Sequence, residues 1–510
     1  MQVNKDENTI SQYLSDESNG FLGEGVDRVY FPETEKELAE ILSSTREKVT
    51  TSGAGTGITG SRVPVHGGIV ISTERMIRCR AREGFETIER KGLAGDIGIC
   101  LDREKEEAIV SPGISLAELD AALPPGWVYP PDPTETSATI GGNVATNASG
   151  ARCFYFGPTR NWVKGLRVVL HDGEILNIRR GHWTATDGVL KFNSESGKDF
   201  CVAIPNYHMP EIKNAAGLYS KPGMDLIDLF IGSEGMLGII SEITLGLWKT
   251  EGSPVSDLAF FEKESDALGY VERLRKLREK GVLAVEFFDR NSLDFVREEH
   301  PELKDDLDAG VFVELMPGSM DLMEELNSML AEFHAIEDWC ATTFANRRDL
   351  KEFRHSLPDG INSYLKQHNS YKMGTDFVVP EENFRDMMQK YREVGERFRA
   401  KFPGARYVIF GHIGDCHVHF NFITSNEDER EGAKVLYLEL ARYAIKLGGT
   451  ISGEHGVGKK TMTMDGRNIP YLELMLGKDG LREIARVKKA LDPELRLNLG
   501  NMVPVQYLDS

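Results

Sequence analysis

The chain has 510 residues, which gives room for about two or three domains and a large hydrophobic core. Its 60 lysine and arginine residues stand against 80 aspartate and glutamate residues, and the net charge of −20 argues against nucleic acid or an anionic membrane surface as the main partner. The start of the chain lacks the apolar segment of a signal peptide, and no uncharged apolar run reaches the length of a membrane span. We therefore expect a cytoplasmic protein without a transmembrane segment.

The cysteines argue against thiol-based sites. All six are scattered along the chain and form no C-x-x-C pair. Zinc ribbons and iron–sulfur clusters need closely spaced thiolates. We therefore expect no zinc ribbon, no iron–sulfur cluster bound by this chain and no disulfide framework.

The N-terminal part of the sequence predicts a compact α/β lobe. Thr34 and Glu37 form a capping box before Leu38, Ile41 and Leu42, which share one helical face. The predicted elements are, in order, a helical lead-in (1–28), a strand (29–31), that helix, a strand (48–52) and a strand (69–72).

A glycine-rich loop connects the last two of these strands. Its glycines permit positive φ and close approach of a ligand, and its successive N–H groups can form a nest for a pyrophosphate. Although Gly55, Gly57 and Gly60 match G-x-G-x-x-G, a strand follows them instead of the helix that a Rossmann site needs. We predict a phosphate cradle, with an ordinary glycine turn as the alternative. The candidate cofactor-binding residues of the loop are Ser52, Gly53, Ala54, Gly55, Thr56, Gly57, Thr59 and Gly60.

A second lobe is predicted to begin near residue 107. It contains a second stretch rich in glycine and asparagine, over residues 139–150, for which we expect little regular structure and a role in binding. The other predicted elements are a strand ending at 113, a helix (115–123), an extended segment (129–133) and a hairpin (163–178) that turns at 171–173.

The pattern of predicted elements changes near residues 251–254, and we place a domain boundary there. Over roughly the next two hundred residues, strands alternate with charged amphipathic helices. The apolar residues Leu268, Val271 and Leu274 stack at helical spacing and are expected to pack in the core rather than bind a cofactor.

Two glycine-flanked turns in this second domain carry candidate metal ligands. In the first turn, the two-residue period of a hairpin places His417 and His419 on one face, which His412 can reach diagonally. The second turn supplies Glu454. His412, His419 and Glu454 form a His₂Glu set that leaves positions open on a divalent metal. A structural role is the alternative for any single histidine.

These motifs resemble a known family. The glycine loop, the P-D-P and G-G-N segments within 131–143 and the G-S-E-G segment at 232–235 resemble the FAD domain of vanillyl-alcohol-oxidase type flavoproteins. The G-H-x-G-D turn, the S-G-E-H-G turn and the L-N-L-G tail are similar to the branch that holds D-lactate dehydrogenase, D-2-hydroxyglutarate dehydrogenase and the FAD subunit of glycolate oxidase.

The resemblance covers residues 29–504 and implies an α+β fold. It implies a two-lobed FAD-binding domain of the PCMH type (29–252) and an α/β cap domain built on an antiparallel sheet (253–465). A C-terminal segment (466–510) is expected to return to the FAD domain. The resemblance further implies FAD, bound non-covalently, at the glycine loop and at a second group of residues: Pro131, Asp132, Gly141, Gly142, Asn143, Asn147, Gly150, Glu234, Gly238, Ile239 and Asn498.

Carried over residue by residue, the resemblance also implies catalytic roles. His412, His419 and Glu454 match the ligands of a divalent metal, usually zinc, and His455 matches the catalytic base. Arg354 matches an arginine that binds the substrate carboxylate, although Lys351 stands where an aromatic residue is usual.

The metal turn and a nearby segment depart from the family. His417 occupies the position of a usual asparagine, and we expect it to lie outside the coordination shell, with a role as an extra ligand as the alternative. Lys372 begins a segment that only partly fits the Lys-x-Asp segment of the family.

The implied activity is oxidation of a small D-2-hydroxy acid, such as D-lactate, D-2-hydroxyglutarate or glycolate, to the 2-oxo acid. The electron acceptor is one other than NAD and stays open among an electron-transfer flavoprotein, a quinone and a partner iron–sulfur subunit. A homodimer is one possible assembly. Two alternatives remain: a redox-neutral FAD transferase of the ether-lipid synthase type, and a metallohydrolase in which the glycines are only structural.

Overall fold

The computed structural model describes residues 2–18, 20–297, 300–341, 344–464 and 466–508. Among these residues, every helix is too short or too polar to cross a lipid bilayer.

The first lobe contains the predicted α/β unit. Its elements are β1 (Gln2–Asn4), α1 (Glu7–Ser11), β2 (Val26–Phe31), α2 (Glu35–Ser44), β3 (Val49–Ser52) and β4 (Gly68–Ser72). The sheet has the spatial order β1-β2-β4-β3, in which β4 pairs parallel with both β2 and β3. The predicted helical lead-in therefore also supplies an edge strand, β1. Thr34 Oγ1 accepts the N–H of Glu37 at 3.2 Å, but the Glu37 carboxylate accepts the N–H of Glu33, so only half of the predicted capping box forms.

The second lobe is a six-stranded antiparallel sheet with short helices around it. Its elements are β5 (Glu86–Lys91), β6 (Asp96–Asp102), β7 (Glu107–Val110), α3 (Leu116–Ala122), β8 (Trp127–Val128), α4 (Ile140–Thr146), α5 (Cys153–Phe156), α6 (Thr159–Trp162), β9 (Val163–Val169), β10 (Ile175–Arg179), β11 (Val189–Asn193), β12 (Asp199–Ala203), α7 (Leu226–Phe230), β13 (Ile239–Gly246) and β14 (Trp248–Lys249). The sheet order is β10-β9-β13-β7-β6-β5. The predicted hairpin is confirmed as β9 and β10, whereas the lobe begins two strands earlier than predicted.

The expectation of little regular structure over residues 139–150 is wrong, because α4 occupies most of this stretch. Thr139 Oγ1 accepts the N–H of Gly142 at 3.3 Å and caps the helix start. A Cβ on Gly141 would lie 2.9 Å from the carbonyl oxygen of Pro112, so only glycine permits this close approach. Buried packing here overrides the low helix propensity of glycine and asparagine.

One disulfide lies in the second lobe. Cys79 and Cys100 are bonded, although their spacing in the sequence gave no sign of pairing. Cys79 N–H donates to the carbonyl oxygen of Gly98 at 3.1 Å, and this contact places its side chain beside β6. The expectation of no disulfide framework therefore missed one pair that the fold brings together.

The cap is built on a seven-stranded antiparallel sheet with helices. Its elements are β15 (Val255–Phe261), α8 (Glu264–Arg275), β16 (Val282–Asp289), α9 (Arg290–Val296), β17 (Ala309–Leu315), α10 (Met320–Glu332), β18 (Glu337–Ala341), α11 (Phe344–Gln367), β19 (Tyr371–Gly374), α12 (Phe384–Lys401), β20 (Arg406–Gly411), β21 (His419–Thr424) and α13 (Glu427–Lys446). The sheet order is β18-β15-β17-β16-β20-β21-β19. The predicted core residues Val271 and Leu274 of α8 are fully buried.

The C-terminal segment packs against the first lobe. Its elements are β22 (Thr461–Met464), β23 (Arg467–Pro470) and α14 (Glu473–Leu491). Beyond α14, Asn498 donates its N–H to Val49 at 2.8 Å and accepts the N–H of Thr51 at 2.9 Å through its side chain. The chain thus ends beside β3, the strand that leads into the glycine loop.

Candidate active site

A deep cleft opens between the glycine loop, α4 and the start of β13. It holds about 990 Å³ of empty space, counting its open mouth. Most of the predicted cofactor residues line it: Gly53, Ala54, Gly55, Thr56, Gly57, Thr59, Gly141, Gly142, Asn143, Glu234, Gly238, Ile239 and Asn498. The fold therefore brings two glycine-rich stretches from different lobes to the two sides of one cleft.

The remaining predicted cofactor residues do not line the cleft. These are Ser52, Gly60, Pro131, Asp132, Asn147 and Gly150. A Cβ on Gly150 would lie 1.8 Å from the carbonyl oxygen of Asp132, and Gly60 donates its N–H to Asp16 at 2.7 Å. Gly60 and Gly150 therefore contact other parts of the chain.

The cleft has the properties of a site for a large polar cofactor. A Cβ on Gly53 would lie 2.6 Å from Thr139 Oγ1, so a side chain there would close the gap between the two glycine stretches. Thr51 Oγ1 and Asn143 Nδ2 belong to lining residues and are buried without a hydrogen-bond partner in the described part of the chain. Because buried polar atoms are normally satisfied, a bound group with its own donors and acceptors fits this cleft.

Glu234 connects the cleft to the segment that carries His455. Its carboxylate accepts the N–H groups of Val457 and Gly458, each at 2.9 Å, and the hydroxyl of Ser61. Burial raises the pKa of Glu234 above its usual value against these hydrogen bonds. Glu234, which was predicted as a cofactor residue, therefore also connects the FAD-binding domain to the cap.

The predicted metal ligands lie together where β20 ends and β21 begins. His412 follows β20, and His419 begins β21 after a short 3₁₀ turn. Their Nε2 atoms lie 3.2 Å and 3.3 Å from the two carboxylate oxygens of Glu454. His417, which was expected outside the shell, also offers a nitrogen to this cluster, in which all ligand atoms lie within 4.8 Å of one another.

Each of the three imidazoles is held from outside the cluster by an acceptor. His412 Nδ1–H donates to Glu286 at 2.7 Å, and His419 Nδ1–H donates to the carbonyl oxygen of Thr375 at 3.1 Å. His417 Nε2–H donates to Asp376 at 2.9 Å. Such outer acceptors fix the tautomer and the ring orientation of metal-binding histidines. In each ring, the other nitrogen is left facing Glu454.

Electrostatic interactions couple the side chains of this cluster. Burial opposes protonation of His412, but the carboxylates of Glu286 and Glu454 raise its pKa to about 9. Burial likewise opposes the charge of Glu454, but Lys213 first, then His412 and His417, hold its pKa well below its usual value. Lys213 Nζ donates to Glu454 at 2.9 Å. Glu454 is thus held in its charged form, which is the form in which a carboxylate binds a metal.

His455 lies between the cleft and the histidine cluster. It lines the cleft, and its side chain is 31% exposed. Its Nδ1 atom lies 3.2 Å from Asp376 Oδ1, and its Nε2 atom lies 3.6 Å from Glu454 Oε1. The predicted base is therefore the residue common to both parts of the site.

Arg354 approaches the same region from α11. Its guanidinium lies 3.7 Å from Asp132, and its side chain is 9% exposed. Burial opposes the charge of Glu286, and His412 first, then Arg354, hold the pKa of Glu286 below its usual value. Arg354 is therefore close enough to interact electrostatically with Glu286, the hydrogen-bond partner of His412.

Comparison with known proteins decides the family. Residues 26–179 match the model of the FAD binding domain, and residues 255–502 match the model of the C-terminal domain of FAD linked oxidases. The chain belongs to the FAD-linked oxidases. The two-lobed FAD-binding domain of the PCMH type and the antiparallel sheet of the cap are confirmed, and this FAD-linked oxidase is an FAD-dependent oxidoreductase.

Curated relatives match nearly the whole chain of this FAD-linked oxidase. A D-lactate dehydrogenase of Archaeoglobus fulgidus is 28% identical over 482 residues, which cover 92% of this chain and 90% of the relative. The glycolate oxidase subunit GlcD of Bacillus subtilis is 29% identical over 490 residues, with 93% and 88% covered. A D-2-hydroxyglutarate dehydrogenase of Xanthomonas citri is 28% identical over 473 residues, with 89% and 84% covered.

A solved structure of alkyldihydroxyacetonephosphate synthase shares the fold. It superposes with a TM-score of 0.66 over 98% of this chain and 82% of that chain, at 15% sequence identity. A likeness at this identity describes the fold of the FAD-linked oxidase and leaves its reaction open.

Sequence reasoning missed several residues of the site. Asp376 contacts both His417 and His455. Glu286 contacts His412, and Lys213 contacts Glu454. Asp376 lies in the segment compared with the family's Lys-x-Asp motif, which was a usable signal. Glu286 lies between apolar residues of a fully buried strand, and a carboxylate at such a position indicates a buried partner.

Proposed function

We propose that this FAD-linked oxidase oxidises a small 2-hydroxy acid of D configuration to the 2-oxo acid and passes the electrons to an acceptor other than NAD. The observation that carries the proposal is the position of His455, which lines the cleft and lies 3.6 Å from the Glu454 carboxylate of the histidine cluster. A proton acceptor is therefore adjacent both to the flavin cleft and to a cluster suited to a divalent cation.

The names of the relatives support the substrate class. D-lactate, D-2-hydroxyglutarate and glycolate each carry a hydroxyl group on the carbon next to a carboxylate. At 28% or 29% identity, these relatives support the class and leave the individual acid open. Both FAD-related models match, so a metallohydrolase with merely structural glycines no longer accounts for the glycine loop.

The reaction removes a hydride from the α-carbon and a proton from the hydroxyl group, which leaves a carbonyl. FAD, when bound, supplies the hydride acceptor that no side chain can provide. His455 accepts the hydroxyl proton at Nε2, because its Nδ1 atom faces Asp376. Arg354 contacts the substrate carboxylate in two-point geometry and thereby orients the α-carbon.

The residues present fit a divalent metal such as zinc. His412, His419 and Glu454 would hold it, because their inward-facing atoms converge and the outer nitrogens of the rings are already hydrogen-bonded. A divalent ion, when bound, lowers the pKa of a coordinated hydroxyl group. Electron-transfer flavoprotein, a quinone and a partner iron–sulfur subunit remain the candidate electron acceptors, and a homodimer remains the proposed assembly.

Anaerobic mixing of the purified holoenzyme with a panel of D- and L-2-hydroxy acids tests the proposal. We expect the oxidised flavin absorbance to bleach with a D-2-hydroxy acid or glycolate and to persist with the L enantiomers. Flavin that stays oxidised with every acid would contradict the proposal. In that case the redox-neutral transferase, whose fold the chain shares, would become the better assignment.

A further inference from the structure

We infer that His417 is a fourth protein ligand of the metal, so that the centre of this chain is His₃Glu and not the His₂Glu set that the family motif predicts. The inference rests on the proposed function, because it extends the metal centre proposed there. It concerns a residue that the motif comparison did not place among the ligands.

The position of the His417 ring supports coordination. Its Nδ1 atom lies 3.9 Å from Glu454 Oε2, on the side where His412 and His419 also face that carboxylate. The ring centroid of His417 lies 5.5 Å from that of His412 and 4.6 Å from that of His419. Three imidazoles and one carboxylate therefore surround one point.

The hydrogen bonds of His417 leave one nitrogen for a ligand. Its Nε2–H donates to Asp376 at 2.9 Å, so in the neutral ring Nδ1 is a lone-pair acceptor. This Nδ1 atom is buried and has no hydrogen-bond partner among the residues that the structure describes, and the side chain is 0% exposed. A neutral ring is the form that a metal ligand requires.

A purely supporting role for His417 does not fit this geometry. A supporting residue accepts or donates at the outer nitrogen of a ligand, but those positions of His412 and His419 are taken by Glu286 and the carbonyl oxygen of Thr375. His417 has its own outer acceptor in Asp376, as the two predicted ligands have theirs. It is held in place in the same manner as a ligand.

The backbone is shaped to admit these rings. A Cβ on Gly453 would lie 2.9 Å from the His417 ring, and a Cβ on Gly411 would lie 2.8 Å from the His419 ring. Glycine at both positions lets the rings approach the cluster. Cys416, with a positive φ of 56°, turns the chain so that His417 faces inward beside His412.

The added imidazole has consequences for the metal. With His412, His417, His419 and Glu454 as ligands, the metal would have fewer positions left for the oxygens of a substrate than in the His₂Glu set. A donor set of three nitrogens and one carboxylate favours zinc or another late first-row transition metal over Mg²⁺ and Ca²⁺.

Paramagnetic NMR of the Co²⁺-substituted holoenzyme counts the ligands directly. Each histidine bound to Co²⁺ gives a strongly shifted ring N–H signal that vanishes in D₂O, and all three N–H groups here are hydrogen-bonded. We expect three such signals in the wild type and two in His417→Asn. Glu286→Gln, which changes only the outer partner of His412, is the matched control and should keep three.

Affinity for the metal gives a second readout, measured by competition with a chelator. We expect His417→Asn to weaken Co²⁺ and Zn²⁺ binding by more than the roughly 10- to 100-fold loss expected for an outer hydrogen-bond partner such as Glu286→Gln. Two N–H signals in the wild type, unchanged in His417→Asn, would overturn the inference and leave the proposed metal centre intact. A wild type that binds no Co²⁺ or Zn²⁺ would contradict the metal centre itself, with Lys213 then the cation that balances Glu454. The wild-type count decides the question even if the variant does not fold.

Discussion

The Nδ1 atom of His455 lies 3.2 Å from the Oδ1 atom of Asp376, and this pair joins the flavin cleft to the histidine cluster. Asp376 also accepts the hydroxyl of Ser452 at 2.6 Å and the N–H of His455 at 3.0 Å. Burial opposes its charge, but His455 and His417 hold the pKa of Asp376 well below its usual value. The charged carboxylate fixes the imidazole ring so that Nε2 faces Glu454.

Replacing His455 with alanine tests its role as the base. We expect His455→Ala to reduce the rate of flavin reduction by roughly 10²- to 10⁴-fold, because general-base catalysis is lost. The variant should keep FAD and the metal, since neither is bound through this ring in the proposed site. Stopped-flow absorbance measures the rate, and elemental analysis measures the metal. Loss of the metal would instead place His455 in the coordination shell.

Removing the metal tests the histidine cluster. Chelation, or the substitution Glu454→Gln, should abolish substrate-driven flavin reduction while the flavin stays bound. The reason is that Glu454 faces both predicted ligand histidines, whereas the cleft is lined by other residues. Flavin absorbance and elemental analysis on the same samples separate the two effects. Full activity in a metal-free preparation would remove the metal from the reaction.

Arg354 is predicted to bind the substrate carboxylate. Arg354→Ala should lower kcat/KM for the 2-hydroxy acid by roughly 10- to 100-fold, as expected for loss of a charge-assisted contact, and leave the FAD content unchanged. Lys351→Ala, an exposed position on the same helix, is the matched control and should change little. An unchanged kcat/KM in the Arg354 variant would assign the carboxylate contact to another cation, such as Lys372.

Asp257 predicts a pH dependence of stability. Burial, reinforced by Asp338, raises its pKa from 3.8 to about 7, and its Oδ2 atom accepts no hydrogen bond from any described residue. Because the folded state binds the proton more tightly than the unfolded state, the free energy of unfolding falls as pH rises from the unfolded pKa to the folded one. Between about pH 5.5 and about pH 8 this side chain should cost about 2 kcal/mol.

Asp257→Asn should remove that part of the pH dependence. Thermal unfolding of the holoenzyme at fixed scan rate should show a variant more stable than the wild type at the upper pH, with a smaller difference at the lower pH. Asp338→Asn, an exposed neighbour, should have a smaller effect in the same direction. Parallel curves for the wild type and Asp257→Asn would contradict the raised pKa.

Much of this protein follows from local features of its sequence. The glycine loop between two strands, the hairpin at residues 171–173 and the alternation of strands and amphipathic helices in the cap were predicted, because turn chemistry and hydrophobic period act over a few residues. The ordered motifs also indicated the family, which the domain matches confirm. The roles of His412, His419, Glu454, His455 and Arg354 remain predictions.

The tertiary structure decided what depends on residues far apart in the chain. Glu286 is 126 residues from His412, and Lys213 is 241 residues from Glu454, so no local pattern could pair them. The helix α4 forms in a glycine-rich stretch, where packing compensates for low propensity. The orientation of the His417 ring likewise depends on distant residues. Its Nε2–H donates to Asp376, which lies in the connection after β19, and this leaves Nδ1 facing Glu454. The sequence determines which ionisable groups are present. Their pKa values depend on which of these groups the fold buries together, away from water.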